Sequence, residues 1–225
     1  MCGRFNLIDS PEVQWLCKTL GIELYDEHES RDIAPGGDIA IVHECGGDRV
    51  VSIATWWLLL NDETHNPNYK YASFNSRSDK LSSKRSIAYN PYRESRCLIP
   101  ASAFVEGLGD KKTYHKIELE DSAIAFGGLF KEYQNKESGE VIYSASIITL
   151  PPLRPQWDEI HPKSMPLMID FQDEDLVERW LDPGNHAVEQ FETLLQPKVL
   201  KPMKVTKIEK PSSWNPIEDS FMIMK

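Results

Sequence analysis

Hydrophobic and polar residues recur along the chain with two different periods. Over residues 11–20 the apolar positions follow helical spacing, with Ser10 before them as a helix cap and Gly21 after them as a stop. Helical spacing returns over residues 173–181 and 186–195, on either side of an Asp-Pro-Gly sequence that breaks the pattern. The pattern predicts three helices, one near the start of the chain and two in its last quarter.

The middle of the chain carries short runs of β-branched and aromatic residues separated by Gly, Asp, Asn and Pro, which is typical of strands. Strands and helices do not alternate as they do in a parallel α/β sheet. We therefore predict an α+β fold: one domain over residues 1–225, built on a mostly antiparallel sheet or open barrel with peripheral helices. The predicted strands span residues 39–43, 50–60, 114–119, 123–130, 141–149 and 203–208.

Composition narrows the class of protein. A chain of 225 residues with 40% hydrophobic content can bury one substantial core, and it contains neither a signal-peptide core nor a run long enough to span a bilayer. The four cysteines lie far apart without a C-x-x-C pair, and the histidines lack metal-ligand spacing. We expect a soluble cytoplasmic protein that needs no metal, cofactor or membrane partner.

Charge is distributed unevenly along the chain. The net charge of −10 argues against a general nucleic-acid binder, because nonspecific affinity for phosphate needs Lys and Arg. Residues 70–97 nevertheless hold seven basic residues against two acidic ones, and aromatic residues that could stack on single-stranded bases. A solvated loop with ordinary core aromatics also explains this basic segment. Its basic residues are Lys70, Arg77, Lys80, Lys84, Arg85, Arg93 and Arg96, and the aromatic residues in or beside it are Tyr69, Tyr71, Phe74, Tyr89 and Tyr92.

The chain begins M-C-G-R-F, so removal of Met1 would expose Cys2 with a free α-amine and a thiol on adjacent carbons. Their reference pKa values, about 7.7 to 8.0 and about 8.5, leave a reactive fraction of each group near neutral pH. An aldehyde that condenses with the amine gives an imine, and the thiol can close it intramolecularly into a thiazolidine ring. If Met1 is retained, this chemistry is impossible, and a chance cysteine at position 2 is the alternative interpretation.

Three further segments contain candidate functional groups. If their segment is extended, Asn75 and Arg77 point to the same face. The Asn75 amide could then donate and accept hydrogen bonds, and the Arg77 guanidinium could bind a phosphate, although a surface turn explains both residues equally well. Glu106 ends an uncharged run, where apolar surroundings would raise its pKa and suit it to proton transfer; the alternative is an exposed strand end. His161 and Lys163 lie in a proline-bounded loop. Histidine can exchange protons near pH 7, which suits His161 to catalysis; the alternative is an ordinary loop histidine.

Together these segments resemble the SOS-response-associated peptidase (SRAP) family. Its members share the motifs M-C-G-R-F, N-A-R-S-E, C-x-I-P-x-x-G-F-Y-E-W and H-x-R-M-P, and similar motifs occur here in the same order. They occupy residues 1–5, 75–79, 97–107 and 161–166. Shorter segments at residues 33–36 and 56–59 resemble the A-P-T and W-G-hydrophobic segments of the family, so the resemblance covers most of the chain.

The resemblance implies an enzyme-like protein that crosslinks covalently to abasic sites in single-stranded DNA through a thiazolidine on mature Cys2. It would act as a monomer, shield the lesion during replication and the DNA damage response, work beside the replication machinery and be nucleoid-associated when on DNA. By resemblance Glu106 would shuttle protons, His161 would assist sugar opening and crosslink reversal, and Asn75 would hold the adduct. The implied DNA contacts are Arg4, Arg77 and Lys163.

This chain departs from the family motifs at several positions. Asp79 replaces the family glutamate and is a shorter partner for an arginine. Val105 and Gly107 replace the aromatic residues beside the catalytic glutamate. The H-x-R-M-P segment has one extra residue, so Lys163 or Ser164 stands where arginine is expected, and a lysine would contact phosphate as a point charge rather than as a fork.

Two other functions fit the same residues. Cys2 could be the nucleophile of a thiol hydrolase or self-processing peptidase, with His161 as its base and Asn75 near the oxyanion. Alternatively, the protein could bind single-stranded DNA without covalent chemistry, which predicts equal affinity for intact and abasic strands and a strong salt dependence.

Overall fold

The computed structural model describes residues 3–225, so the predictions for Met1 and Cys2 fall outside the described residues. The helices are α1 (Pro11–Leu20), α2 (Pro91–Glu94) and α3 (Glu174–Leu181), with short 3-10 turns at Asp26–His28, Ser78–Lys80 and Val188–Phe191. The strands are β1 (Phe5–Leu7), β2 (Ser30–Ile33), β3 (Asp38–Cys45), β4 (Asp48–Thr55), β5 (Asn75–Arg77), β6 (Arg96–Ala101), β7 (Ala103–Gly107), β8 (Tyr114–Leu119), β9 (Ile124–Gln134), β10 (Val141–Leu150), β11 (Met165–Pro166), β12 (Met203–Ile208) and β13 (Phe221–Ile223).

The strands form two sheets. The first is antiparallel throughout, in the order β13-β12-β8-β7-β1-β2. In the second, β10, β4, β3, β6 and β9 are neighbours in that order, and β9 pairs back to β10, so the barrel is closed. Only β4 and β5 pair with β10 in the parallel sense. The predicted α+β class with a mostly antiparallel sheet is therefore confirmed.

Aromatic side chains join the two sheets. Phe126 on β9 of the barrel contacts Phe5 on β1 and Phe104 on β7, with ring centroids 5.9 and 5.5 Å apart. Phe5 also packs edge-on against Trp56 at 4.9 Å, and all four rings are fully buried. Burial of each phenylalanine stabilises the fold by about 1.5–3 kcal/mol, so β1 and β7 are held firmly against the barrel.

Two glycines allow close packing at the barrel wall. A Cβ added at Gly128 would lie 2.7 Å from Ile99 and 2.9 Å from the Cys97 sulfur. At Gly127 it would lie 2.6 Å from Leu167. Contacts this short cannot be accommodated without displacing buried atoms. Close packing at the barrel wall therefore favours glycine at these two positions.

The predicted first helix is confirmed, together with both of its signals. The Ser10 hydroxyl accepts the backbone N–H of Val13 at 3.2 Å, and Gly21 ends α1 in the left-handed conformation with a φ of 65°. The helix predicted over residues 173–181 is α3, capped by the Asp173 carboxylate. No helix of residues 3–225 is both long and apolar enough to cross a membrane.

Two predicted elements are wrong in part. Residues 186–195 form short turns instead of a helix, because the i, i+3 spacing of Val188, Phe191 and Leu194 also suits 3-10 geometry, which places residues three apart on one side. The strand predicted over 50–60 ends at Thr55, where the backbone N–H of Trp56 bonds to a turn carbonyl at Gly37. The other predicted strands are all present, with ends shifted by a few residues.

Candidate functional site

The start of the described chain runs directly beside the strand that carries Glu106. In the pairing of β1 with β7, Phe5 lies opposite Phe104 and Asn6 opposite Ala103. The backbone N–H of Val105 donates to the carbonyl of Arg4 at 2.8 Å. The amide side chain of Asn6 adds a bond to the backbone N–H of Ala103 at 2.9 Å. This pairing places the N-terminal segment at the predicted catalytic glutamate.

Glu106 is a buried carboxyl group rather than an exposed strand end. Its exposed fraction is 1%, and its side chain lies on the same face of β7 as the core residue Phe104. Burial disfavours the charged carboxylate and raises the pKa of Glu106 to about 7. Near neutral pH the group therefore exists in both its acid and its base form, which a proton shuttle requires.

His161 lies next to this carboxyl group. Its Nδ1 is 3.8 Å from Oε2 of Glu106 and contacts the carbonyl oxygen of Gly107 at 2.5 Å. A carbonyl can only accept, so in the neutral ring we assign the proton to Nδ1, which leaves the lone pair on Nε2. Burial lowers the pKa of His161, the Gly107 carbonyl opposes that shift, and the charge of Lys163 adds to it. A neutral histidine thus stands beside a half-protonated glutamic acid.

The loop that carries His161 is anchored by Trp157. The indole N–H of Trp157 donates to the carbonyl of Ser164 at 3.0 Å, and its backbone carbonyl accepts the N–H of His161 at 2.9 Å. Its ring stacks near Phe104, with centroids 6.4 Å apart. The histidine is therefore held against β7 by a buried aromatic residue.

Asn75 and Arg77 lie on the extended strand β5, so the extended arrangement is present and the surface-turn alternative is not. Asn75 pairs with Ile147 of β10, and Arg77 pairs with Thr149. The guanidinium of Arg77 forms two bonds of 2.9 Å with the carboxylate of Asp79. The shorter aspartate therefore still supports the arginine, and their pairing fixes the orientation of an exposed cationic fork.

Arg77 and Lys163 line the same groove. It has a volume of about 520 Å³, and Leu150, Pro151 and Pro152 form its apolar part. The groove forms where β10 ends, because β11 pairs Met165 with Leu150 and so brings the loop of Lys163 to that end. Its other lining residues are Ser78, Asp79, Thr149, Leu150, Pro151, Pro152 and Ser164. Two predicted DNA contacts from distant parts of the chain are thereby brought together.

Arg4 lies outside this groove. Its guanidinium is bonded to one carboxylate oxygen of Asp32 on β2, and the indole N–H of Trp214 donates to the other at 3.0 Å. Sequence reasoning missed Asp32. The pairing of β1 with β2, which brings Phe5 opposite Ile33, places the two charges together, and no local pattern predicts it.

The basic segment divides into structural and exposed residues. Arg96 is buried and donates five hydrogen bonds to backbone carbonyls, and Arg93 stacks on the Tyr89 ring at 3.8 Å. Tyr92 is also buried. The carbonyls that Arg96 binds belong to Tyr92, Arg93, Trp180, Asp182 and Asn185. The exposed basic residues are Lys70, Arg77, Lys80, Lys84 and Arg85. Tyr92 is therefore an ordinary core aromatic residue, and contact of the exposed basic residues with nucleic acid stays a prediction.

A buried histidine lies opposite the glutamate on the neighbouring strand. His115 on β8 is paired in register with Glu106, and the two side chains share one face of the sheet. The strict alternation of buried His115, Ile117 and Leu119 could have identified this buried polar position. Burial lowers the pKa of His115, so the neutral ring is favoured there.

The described cysteines and acidic residues offer few alternatives to this site. Cys97, in the C-x-I-P motif, is fully buried, and burial raises the pKa of its thiol, which makes it a poor nucleophile. Within residues 3–225, no group of three or more His, Cys, Asp or Glu side chains is arranged to hold a metal ion.

Solved structures with the same fold come from several bacteria. A protein of Bordetella bronchiseptica aligns with a TM-score of 0.71 at 16% identity, over 93% of this chain and 100% of that one. A protein of Bacteroides thetaiotaomicron aligns with a TM-score of 0.69 at 18% identity, over 98% of this chain and 100% of that one. At these identities the likeness shows the fold alone.

Curated relatives are similar in sequence over part of their length. The abasic site processing protein HMCES of Pongo abelii is 24% identical over 181 residues, and that of Xenopus tropicalis is 25% identical over 173 residues. Each match covers 67% of this chain and 50% of the relative, so the chain spans about half the length of these relatives. The family model described as SOS response associated peptidase (SRAP) matches residues 1–211. The chain therefore belongs to the SRAP family.

Proposed function

We propose that this protein captures abasic sites in single-stranded DNA as a covalent thiazolidine formed by Cys2 after removal of Met1. The pairing of β1 with β7 is the observation that carries the proposal, because it brings the N-terminal segment to buried Glu106. Residue 2 is two peptide units before Arg4, a separation of at most about 7 Å along the chain. The names of the curated relatives, which describe abasic site processing, support the same substrate.

The chemistry follows from the two nucleophiles of an N-terminal cysteine. The ring-opened abasic deoxyribose carries an aldehyde at C1′. The amine of Cys2 adds to this carbon, the oxygen leaves as water, and an imine forms. The thiolate then adds to the imine carbon, while the proton that the thiol lost ends on the ring nitrogen. The net change is one C–N and one C–S bond formed and one water released.

Glu106 and His161 provide the proton transfers for these steps. The acid form of Glu106 protonates the departing hydroxyl group, and its base form accepts a proton when the thiol attacks. A residue with a pKa of about 7 can perform both tasks without a second acid. Neutral His161 accepts the proton of the C1′ hydroxyl during sugar opening and returns it on reversal.

The remaining residues hold the DNA. Asn75, at the start of β5, hydrogen-bonds the adduct. Arg77 and Lys163 bind phosphates of the strand in the groove that they share. Arg4 contacts a further phosphate by exchanging part of its bonding to Asp32. In this arrangement the protein covers the lesion as a monomer and shields it during replication and the SOS response.

Intact-mass measurement with an oligonucleotide containing one abasic site tests the proposal. The purified protein lacks Met1 and gains the mass of the oligonucleotide minus one water, whereas the matched intact oligonucleotide adds nothing. Cys2→Ala and Cys2→Ser both keep the α-amine but lack the thiol, so each forms only a reversible imine and no stable adduct. Full crosslinking by Cys2→Ala, or active protein that retains Met1, would overturn the mechanism.

A thiol peptidase is the second candidate, favoured by the description of the family as a peptidase. In that mechanism His161 activates the Cys2 thiol, and the DNA groove has no purpose. Release of methionine by a purified precursor without an aminopeptidase, or multiple turnovers on a peptide, would support it. Single-turnover capture of abasic DNA with no peptide turnover would support the crosslinking function instead.

A further inference from the structure

The side chain of Arg4 is held by two residues from distant parts of the chain. Its guanidinium is bonded to one carboxylate oxygen of Asp32 on β2, and the indole N–H of Trp214 donates to the other carboxylate oxygen at 3.0 Å. The side chains of Arg4 and Asp32 are 23% and 36% exposed, so both are partly shielded from water. We call these three side chains the Arg4 clamp.

Trp214 reaches the clamp from the turn between β12 and β13. Three strands lie between β12 and β2 in the first sheet, so the bond from Trp214 to Asp32 joins parts of the sheet that are not neighbours. The turn is closed by its own backbone, because the N–H of Glu209 donates to the carbonyl of Asn215 at 3.0 Å. The indole ring is therefore carried by a turn whose ends are tied together.

The backbone of Trp214 is strained. Its φ of 57° lies in the left-handed region, which bulky residues rarely adopt. A strained conformation persists only where surrounding contacts determine it, and such conformations cluster at functional sites. In this conformation the indole N–H meets the carboxylate of Asp32, and a hydrogen bond to a charged group offsets the strain. The conformation of the turn is therefore linked to the clamp.

Arg4 is also held through its backbone, next to β7. Phe5 pairs with Phe104. The same register places Arg4 opposite Val105, and the N–H of Val105 donates to the carbonyl of Arg4 at 2.8 Å. Arg4 precedes the first residue of β1, and chain ends are poorly ordered unless further contacts hold them. The clamp supplies such a contact two residues after Cys2 in the sequence.

We propose that Asp32 and Trp214 are positioning residues for the proposed capture reaction. By holding Arg4 they keep the N-terminal segment beside β7, so that Cys2 stays close to Glu106. The inference rests on the proposed function and adds two residues to it, neither of which touches the reacting atoms. Their effect is on the rate of capture, because a nucleophile held near its acid catalyst reacts faster than one on a loose chain end.

Capture of 2-deoxyribose tests the positioning role without any contact to DNA. The open form of this sugar carries the aldehyde of an abasic site but neither phosphate nor base, and intact mass after timed quenching gives the capture rate. Asp32→Ala lowers this rate at least about 3-fold, as expected when a partly exposed ion pair that is also hydrogen-bonded is removed. Trp214→Phe keeps an aromatic ring but loses the N–H, and lowers the rate by a smaller factor.

A charge-matched variant is the control for this measurement. Asp48→Ala removes one negative charge at the exposed first residue of β4 and captures the sugar at the wild-type rate. All variants are compared where circular dichroism shows them to be folded. Should Asp32→Ala fail to fold, Asp32→Asn, which keeps the shape but not the charge, takes its place with the same expected direction. Equal rates in wild type and the Asp32 variant would overturn the proposal.

A double-mutant cycle tests whether Asp32 acts through Arg4. Arg4→Ala slows capture of 2-deoxyribose about as much as Asp32→Ala does. The double variant is no slower than either single variant, because the second substitution removes a contact that is already lost. If the two losses multiply instead, the residues act independently and the proposal fails.

Binding of intact single-stranded DNA separates positioning from a DNA contact. Asp32→Ala keeps the cation of Arg4 and removes a negative charge, so its affinity for the intact strand equals or exceeds that of wild type. At saturating abasic DNA the same variant nevertheless crosslinks more slowly. Lower affinity for intact DNA together with wild-type capture of 2-deoxyribose would show that Asp32 acts on DNA binding, and the proposal would fail.

The wild-type protein distinguishes failure of this inference from failure of the proposed function. If wild type captures neither 2-deoxyribose nor abasic DNA, the function itself is refuted. If wild type captures the sugar and both Arg4→Ala and Asp32→Ala capture it at the same rate, only the positioning role is refuted.

Discussion

At the scale of single residues, the environment of Glu106 determines what it can do. The same carboxyl group on the surface would be fully ionised near pH 7 and would be a weak acid catalyst. In the core its pKa is raised to about 7 by burial, with His161 3.8 Å away. The departure at Val105 does not open the site, because Val105 is itself buried.

The first prediction concerns the pH dependence of crosslinking. Glu106→Gln preserves shape but cannot exchange a proton, so the crosslinking rate falls by about 10²- to 10⁴-fold. The wild-type rate changes with pH around 7, and the variant loses that inflection. Single-turnover rates from pH 5 to 9 measure both effects. Glu137→Gln, an exposed substitution in the turn after β9, is the control and keeps the wild-type profile.

The same substitution predicts a change in stability with a defined sign. The pKa of Glu106 is higher in the folded protein than in the unfolded chain, so folded protein binds more protons between about pH 4.5 and 7. Wild-type stability therefore falls as pH rises through this window, by up to about 3 kcal/mol. Glu106→Gln lacks this loss, so its stability relative to wild type rises from pH 5 to pH 8. Urea unfolding of both proteins at pH 5 and pH 8 measures this change in relative stability. If the stability difference between variant and wild type is the same at both pH values, the raised pKa of Glu106 is contradicted.

Arg77 provides the next test at this scale. Arg77→Ala removes one cation from the groove, so single-stranded DNA binds more weakly and the slope of log affinity against log salt decreases by about 0.7. Arg77→Lys keeps the positive charge but loses the bidentate guanidinium. Its salt slope therefore stays close to that of wild type, while its affinity for single-stranded DNA is lower. Lys210→Ala, an equal loss of charge at an exposed site outside the groove, is the control. Identical losses in both alanine variants would indicate a general charge effect.

At the scale of elements, local signals were reliable where a helix or strand is specified by its own residues. Ser10 and Gly21 marked α1, and the alternation over residues 114–119 marked β8, because caps and periodicity are local. The failure at 186–195 has the opposite cause. Val188 and Phe191 are both buried, and Phe191 meets Trp180 of α3 at 5.2 Å, so tertiary packing favours a turn here over the helix that the local pattern predicts.

The candidate site could be predicted as a set of residue types but not as an arrangement. Motifs identified Asn75, Glu106 and His161, and the roles of these residues stay predictions. Glu106 and His161 approach within 3.8 Å although about 55 residues separate them in sequence, and Asn75 is positioned by the pairing of β5 with β10, about 70 residues further along the chain. Pairing at such distances is decided by the closure of the whole barrel. For the same reason Asp32 was missed, whereas His115 lies only nine residues from Glu106 across the β7–β8 pair and could have been identified from its alternation.

The buried arginine provides a prediction for an element. Arg96 ties α2 to the end of α3 through its five carbonyl bonds, and lysine can donate at most three. Arg96→Lys therefore leaves carbonyls unbonded in the core and lowers the free energy of unfolding by about 3 kcal/mol or more. Urea denaturation measures the loss, with exposed Arg179→Lys as the control.

The same variant separates the two roles of the basic segment. At a temperature where Arg96→Lys remains folded, its affinity for single-stranded DNA matches wild type, because the guanidinium is buried and faces backbone carbonyls. A loss of DNA affinity without a loss of stability would show that Arg96 contacts DNA, contrary to its position in the structure.

At the scale of the whole molecule, the proposed function requires an acidic protein to attract a polyanion through a small part of its surface. The net charge of −10 repels DNA at long range, so the proposal assigns the opposing attraction to the cations of the groove and to the exposed cations of the basic segment. The proposed covalent capture suits such a surface. In that proposal, weak and reversible binding would let the protein leave intact strands, and the crosslink would retain it only where an aldehyde is present.

Salt dependence measures how many cations take part. At about −0.7 for each phosphate contact, full contacts by Arg4, Arg77 and Lys163 would give a slope of about −2 for intact single strands. Because Arg4 and Arg77 are already paired with Asp32 and Asp79, which must yield to phosphate, the measured slope is shallower than three free cations would give. A slope near −4 would show that exposed Lys80, Lys84 and Arg85 also bind phosphates. A slope near zero would exclude electrostatic seating of the strand, and capture would then depend on the aldehyde alone. Titrations of DNA affinity between 50 and 300 mM salt separate these outcomes. The final fraction of crosslinked protein at saturating DNA stays constant over this range, because salt weakens noncovalent DNA binding and leaves the covalent bond unchanged.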